Sequence, residues 1–159
     1  MKAIILTILC IAGYNCIARE KPKQNSIYAE FGGPAGLYSL NIDQIAWEPF
    51  LWLKVALGIG LAVNNDIAID VPVHLSLLAG RKSHYLELGT GIEPEYYRDI
   101  KYHTNDFQTI GFLKMGYRYQ PARKGFTFQL ALVPVTYFSN HWTKTWFSIA
   151  LGYSFFNAK

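Results

Sequence analysis

Two places in this chain set a histidine and a serine two residues apart: His74-Leu75-Ser76 and Ser139-Asn140-His141. On a strand, residues i and i+2 share a face, so an imidazole there could take the proton of a nucleophilic hydroxyl. The first pair lies inside an alternating segment and points, by phase, with the polar face. The second lies in a turn with the order reversed. Metal chemistry would need His103 and His141 to converge with nearby acids, and no regular ligand spacing supports that. The chain has no phosphate-cradling glycine loop, dinucleotide fingerprint or paired-thiol motif. No residue is therefore assigned as catalytic, cofactor-binding or metal-ligating, and no cofactor is expected.

A wider set of charges shares the polar face: Glu30, Lys54, Asp70, His74, Glu87, Lys114, Arg118 and Lys144. Gathered in a narrow interior, such groups must pair or keep water, because an isolated buried ion costs several kcal/mol. They could form an ionic, hydrogen-bonded plug or a thin conduction path. An interior ringed by eight strands is just wide enough for side chains to fill, which favours the plug.

The elements that would hold these residues follow from a period of two. Thr145, Phe147, Ile149, Leu151, Tyr153 and Phe155 alternate with Trp146, Ser148, Ala150, Gly152 and Ser154. Leu51, Leu53, Val55, Leu57, Ile59, Leu61 and Val63 alternate with Trp52, Lys54, Ala56, Gly58, Gly60 and Ala62. The same pattern marks segments near 26–32, 37–43, 67–77, 85–93, 112–120 and 126–132, separated by turn signals. That makes eight strands of about ten residues each, the length of a tilted membrane crossing. Pro72 interrupts the fourth segment without shifting its apolar phase. A local break in the hydrogen-bond ladder is expected there, with an orphan carbonyl, and no bulge.

Alternation alone does not say which face meets water. A soluble barrel would carry dense Lys, Glu and Asp on its outer face. Here each long segment has only one or two charges among Gly, Ala and Ser, opposite a continuous Leu, Ile, Val and Phe face. Gly32, Gly58, Gly60, Gly89, Gly91, Gly116 and Gly152 all fall on the polar face, as a crowded interior requires. The apolar face is therefore read as facing lipid. Tyr117, Tyr119, Phe126, Phe128, Tyr153 and Phe155 should meet at one rim as an interfacial belt. On this assignment Leu130→Arg costs roughly 2 to 4 kcal/mol near the midplane, and Gln129→Arg, on the other face, costs less.

The flanks agree with export. Lys2 followed by the apolar run Ala3 to Ala12 and by Cys16, Ile17 and Ala18 reads as a signal peptide over 1–18, too short to span a membrane as a helix. A polar leader occupies 19–25 and the barrel 26–156. Cys10 and Cys16 both lie in the signal, which excludes a disulfide framework. Fourteen basic residues against eleven acidic ones remain once Lys2 is removed, a scattered excess that gives no nucleic-acid footprint. With periplasmic termini, the connections at 44–50, 80–83 and 121–125 are periplasmic, and those at 33–36, 64–66, 94–108 and 138–142 lie outside. The long loop Pro94 to Gln108 mixes Tyr96, Tyr97, Tyr102 and His103 with charges and could take an extracellular partner.

The segments Ser26 to Gly33 (SIYAEFGG), Gly80 to Gly91 (GRKSHYLELGTG), Ile110 to Gln120 (IGFLKMGYRYQ) and Leu151 to Phe155 (LGYSF) resemble the small eight-stranded outer-membrane barrel proteins of Gram-negative bacteria. The resemblance spans nearly the whole chain after the signal. It implies an all-β, antiparallel up-and-down transmembrane barrel with a side-chain-filled lumen, located in the cell outer membrane. Implied partners are outer-membrane lipid and lipopolysaccharide, with the barrel-insertion machinery reading the aromatic last strand, although Asn157, Ala158 and Lys159 follow Phe156. A monomer with a structural or surface-interaction role is expected, neither an enzyme nor an open pore. The alternatives are a lipid A-modifying acyl hydrolase and a narrow channel. One class of lipid A enzymes has a similar His-x-Ser pattern followed by Asn, where this chain has Leu77.

Overall fold

A computed structural model describes residues 24–46, 52–63, 66–99, 104–138 and 143–156. The signal over 1–18 with both cysteines, the leader up to Lys23, the chain at 47–51, 64–65, 100–103 and 139–142, and with them His103, Ser139, Asn140 and His141, lie outside the described residues.

Alternating residues build strands β1 (Gln24–Phe31), β2 (Tyr38–Ala46), β3 (Trp52–Val63), β4 (Asp66–Asp70), β5 (Val73–Arg81), β6 (His84–Asp99), β7 (Thr104–Tyr119), β8 (Gly125–Tyr137) and β9 (Thr143–Phe156). Each pairs antiparallel with its neighbours, and β1 pairs with β9, which closes the sheet. Both β4 and β5 lie between β3 and β6, so they are two halves of one wall position in an eight-position barrel. Around one circuit the register advances by about ten residues, which for eight strands sets a tilt of about 40°.

Pro72 separates the two halves. Leu61 opposite Ile69 and Leu57 opposite Val73 belong to one register, as do Asp70 opposite Glu95 and Val73 opposite Ile92. No residue is inserted, and the interruption is the expected break in the ladder. The Pro72 carbonyl still accepts from Gly58 N–H at 2.9 Å, so the Gly58 carbonyl is the group deprived of a donor. Val71 N–H donates to the Pro94 carbonyl at 3.0 Å, and Pro94 returns nothing, which leaves the Val71 carbonyl in the same position. Pro134 interrupts the β7–β8 ladder similarly, with unchanged register between Phe112–Val135 and Met115–Leu132.

Two boundaries differ from the sequence reading. Gln24 and Asn25 belong to β1, paired with Ile45 and Gln44 on one side and with Phe156 and Phe155 on the other. The segment 94–108 is mostly strand: β6 and β7 pair out to Asp99–Thr104, with Tyr96 opposite Phe107 and Gln108 Nε2 donating to Glu95 Oε2. Charges had suggested a loop, but a continuous ladder and the cross-strand Gln108–Glu95 hydrogen bond carry β6 and β7 beyond the barrel mouth.

The faces follow the alternation. Outward Ile27, Leu40, Leu57, Leu75, Leu88, Leu113, Leu132 and Leu151 are all between 46% and 60% exposed, while the residues between them are buried. The expected aromatics gather at the end holding the start of β1 and the end of β9. His84 and Tyr117 hydrogen-bond there at 2.6 Å, and Phe126 meets Tyr153 edge-on at 5.9 Å. Phe31 and Tyr38, 5.2 Å apart, stand toward the opposite end. There the β1–β2 turn folds inward, with Ala35 fully buried against Gly60 and Gly33, at φ 90°, against Glu30. A Cβ at Gly152 would run into the Ile27 carbonyl and the Cβ of Tyr28. Gly152→Ala should therefore cost about 1–3 kcal/mol in urea unfolding, and an unchanged midpoint would show that Tyr28 is not seated over that gap.

Candidate functional site in the lumen

Tyr28 lies at the middle of the lumen, 1% exposed. Three cations surround its ring, with Lys54 Nζ, Lys114 Nζ and Arg118 Cζ each 5.9 Å from the centroid. They come from β3 and β7, where alternation turns each one inward between outward apolar neighbours. Burial of such groups is tolerable only with compensation, and each has it. Lys54 donates to Glu87 and lies 3.9 Å from Asp43. Lys114 donates to Glu30 Oε1 at 2.7 Å, and the same oxygen accepts from Ser148. Arg118 donates to Asp43 Oδ2 at 2.7 Å, to Ser26 Oγ at 3.1 Å and to Gln120 Oε1.

The ionic part of this network is formally neutral: Lys54, Lys114 and Arg118 against Glu30, Asp43 and Glu87. Its pairs link β1 to β7, β2 to β7 and β3 to β6, so they cross the lumen and brace walls that do not touch through the sheet. Toward the end holding the termini, Ile45, Leu78 and Tyr85 form an apolar cluster beside Gln24 and Gln120. Toward the other end, Ile110, Phe112, Val133 and Val135 form a second. The charged layer is thus held between two greasy ones, which keeps its pairs away from bulk water and its attraction strong.

The inward charges are placed as expected in seven of eight cases: Glu30, Lys54, Asp70, His74, Glu87, Lys114 and Arg118 are all buried. Lys144 is the correction. It is exposed, with Nζ 3.8 Å over the Trp146 ring, because its position on β9 lies beyond the covered lumen. Two inward charges were left out of that set. Asp43, the main partner of Arg118, sits next to a connection, and Glu93 stands toward the end away from the termini at 1% exposure. Phase alone would have found both, since each shares the polar face of its segment.

His74 and Ser76 do share a face, but they do not form a dyad. Both imidazole nitrogens and the Ser76 hydroxyl lack a protein partner, and the His74 ring packs edge-on to Phe112 at 5.8 Å. Asp70 Oδ1, Glu93 Oε2 and both amide atoms of Gln129 are likewise buried without a protein partner. At these atoms the protein alone leaves a polar group of the lumen unpartnered. Among the described residues, no three His, Asp or Glu side chains converge as metal ligands.

No family model matches the chain. No curated protein matches it either. Among solved structures, the N-terminal β-barrel domain of Pseudomonas aeruginosa OprF superposes with a TM-score of 0.56 at 9% identity, over 86% of this chain and 98% of that one. Neisserial surface protein A gives a TM-score of 0.48 at 10% identity, over 83% and 92%. The first likeness concerns the fold. This chain has the closed, eight-position antiparallel architecture of the small outer-membrane barrels, as the resemblance in sequence implied.

Proposed function

We propose that the protein is an integral barrel of the bacterial outer membrane that acts as a structural or surface-interaction element, without an open pore and without enzymatic chemistry. The observation that carries this reading is the inverted burial. Arg118, Lys54 and Lys114 are 0% exposed inside, while half-exposed leucines and isoleucines cover the outside. Water around that outer face would carry a heavy hydrophobic penalty, and hydrocarbon removes it. The likeness to the OprF domain supports an outer-membrane location, as does the signal read over 1–18.

A lumen cross-braced by a formally neutral ionic network suits a rigid stave better than a conduit. The extended β6–β7 hairpin, with Tyr96 and Phe107 exposed on it, is the surface offered to an extracellular partner. The unpaired geometry of His74 and Ser76 argues against acyl hydrolysis, which needs base and nucleophile within hydrogen-bond reach. Planar-bilayer recordings of the refolded protein should give no stable stepwise conductance, and lipid A from cells with and without it should have the same mass spectrum. Discrete conductance steps would replace the plug with a channel, and loss of an acyl chain dependent on this protein would replace it with an enzyme.

A further inference from the structure

The end of the barrel that holds both strand termini carries described exposed charges of one sign only. The β5–β6 turn presents Arg81 and Lys82, and the β7–β8 turn presents Arg123 and Lys124, all exposed and outside every ion pair seen among the described residues. The opposite end mixes Arg98 and Lys144 with Glu95 and Asp106. Arg19, Glu20, Lys21, Lys23 and Glu48 lie outside the described residues.

The two basic turns are tied into one unit. Gln120 N–H donates to the Ser83 carbonyl at 2.8 Å, joining turn to turn. The buried Gln24 amide donates to the Pro121 carbonyl at 2.9 Å and to that of Arg123 at 3.4 Å. The Tyr85 hydroxyl donates to the Lys82 carbonyl, holding that residue at φ 58°. The four cations therefore project from a fixed frame. Just toward the barrel's middle stands the aromatic belt of Tyr117, Tyr119, Phe126 and Tyr153, and beyond it the apolar wall.

We infer that this patch is a docking surface for anionic phospholipid headgroups of the leaflet at that end, which rests on the membrane reading above. A phosphate whose acyl chains run along the wall beside Leu86 and Phe126 comes level with cations standing just past the belt. A headgroup is favoured over a soluble anion because the patch is continuous with the apolar face. Each cation near a charged surface adds to the attraction, and salt screens it over about 10 Å at 0.1 M.

The test uses the full-length chain refolded in phosphatidylcholine vesicles doped with spin-labelled phosphatidylglycerol or spin-labelled phosphatidylcholine. At low salt the motionally restricted fraction should favour phosphatidylglycerol by about threefold or more, falling toward one at high salt. A variant carrying Arg81→Gln, Lys82→Asn, Arg123→Gln and Lys124→Gln should insert normally and show a ratio near one. Should it fail to insert, the salt dependence of the unaltered chain decides. Inorganic phosphate at constant ionic strength should leave the preference intact, and loss of the preference would mean a free-anion site. An inserted, heat-modifiable protein with no preference overturns the inference and leaves the membrane reading standing. A chain that never enters the vesicles overturns both.

Discussion

Arg118→Met is expected to lower the unfolding free energy in lipid vesicles by about 3–5 kcal/mol. The side chain is fully buried and holds Asp43, Ser26 and Gln120 at once. Its removal leaves the Asp43 carboxylate, whose Oδ1 has no protein partner already, with only Lys54 at 3.9 Å. Methionine fills much of the volume, so the loss reports the uncompensated charge more than a cavity. Adding Asp43→Asn should restore most of the stability, because a neutral amide needs no counter-ion. Urea titrations followed by heat-modifiable gel mobility would measure both. A single variant as stable as the parent would mean that the lumen is wet enough to solvate Asp43, and the plug would then be an aqueous channel.

Leu130→Arg should cost about 2–4 kcal/mol in the same assay. Leu130 points outward on β8 between Tyr117 and Ile149, midway between the terminal aromatic belt and the opposite rim. A guanidinium there would have to be dragged toward a headgroup region several residues away. Gln129→Arg, expected from the alternation to be milder, is no longer a fair control. Gln129 stands directly opposite Arg118 in the lumen and is itself 1% exposed, so the change would set two guanidiniums side by side. Gln129→Leu is the better comparison. Its amide atoms have no protein partner, and a similar apolar volume should cost less than about 1 kcal/mol. Near-equal losses for Leu130→Arg and Gln129→Leu would contradict the assigned faces.

What could be read in advance divides along a physical line. Which face each residue takes depends only on its own strand's period, so Phe147, Leu151, Lys54 and Glu87 were legible from single segments. The break at Pro72 was legible too, because an unshifted apolar phase on both sides already excluded an extra residue. Partnership was not legible. Lys114 meets Glu30 and Arg118 meets Asp43 across the lumen, and those meetings depend on the register accumulated around the whole circuit. No segment contains that information. The 94–108 segment misled for a related reason: its charges are those of a loop, and the pairings that make it strand, such as Gln108 with Glu95, form only after β6 and β7 align. The two basic turns went unremarked because net charge is a sum over the chain and hides a one-sided distribution.

A barrel standing in a bilayer must have hydrocarbon against the odd-numbered face of β9. Spin labels on cysteines introduced singly from Thr145 to Phe155, with Cys10 and Cys16 replaced by Ser, would read that surface in bilayers. Phe147, Ile149, Leu151 and Tyr153 should be open to dissolved oxygen, most strongly toward the middle of the strand, and closed to a water-soluble nickel complex. Ser148 and Ala150 should be closed to both. Odd positions open to the nickel complex, with no oxygen maximum toward the middle of the strand, would mean that water and not lipid lies outside the barrel.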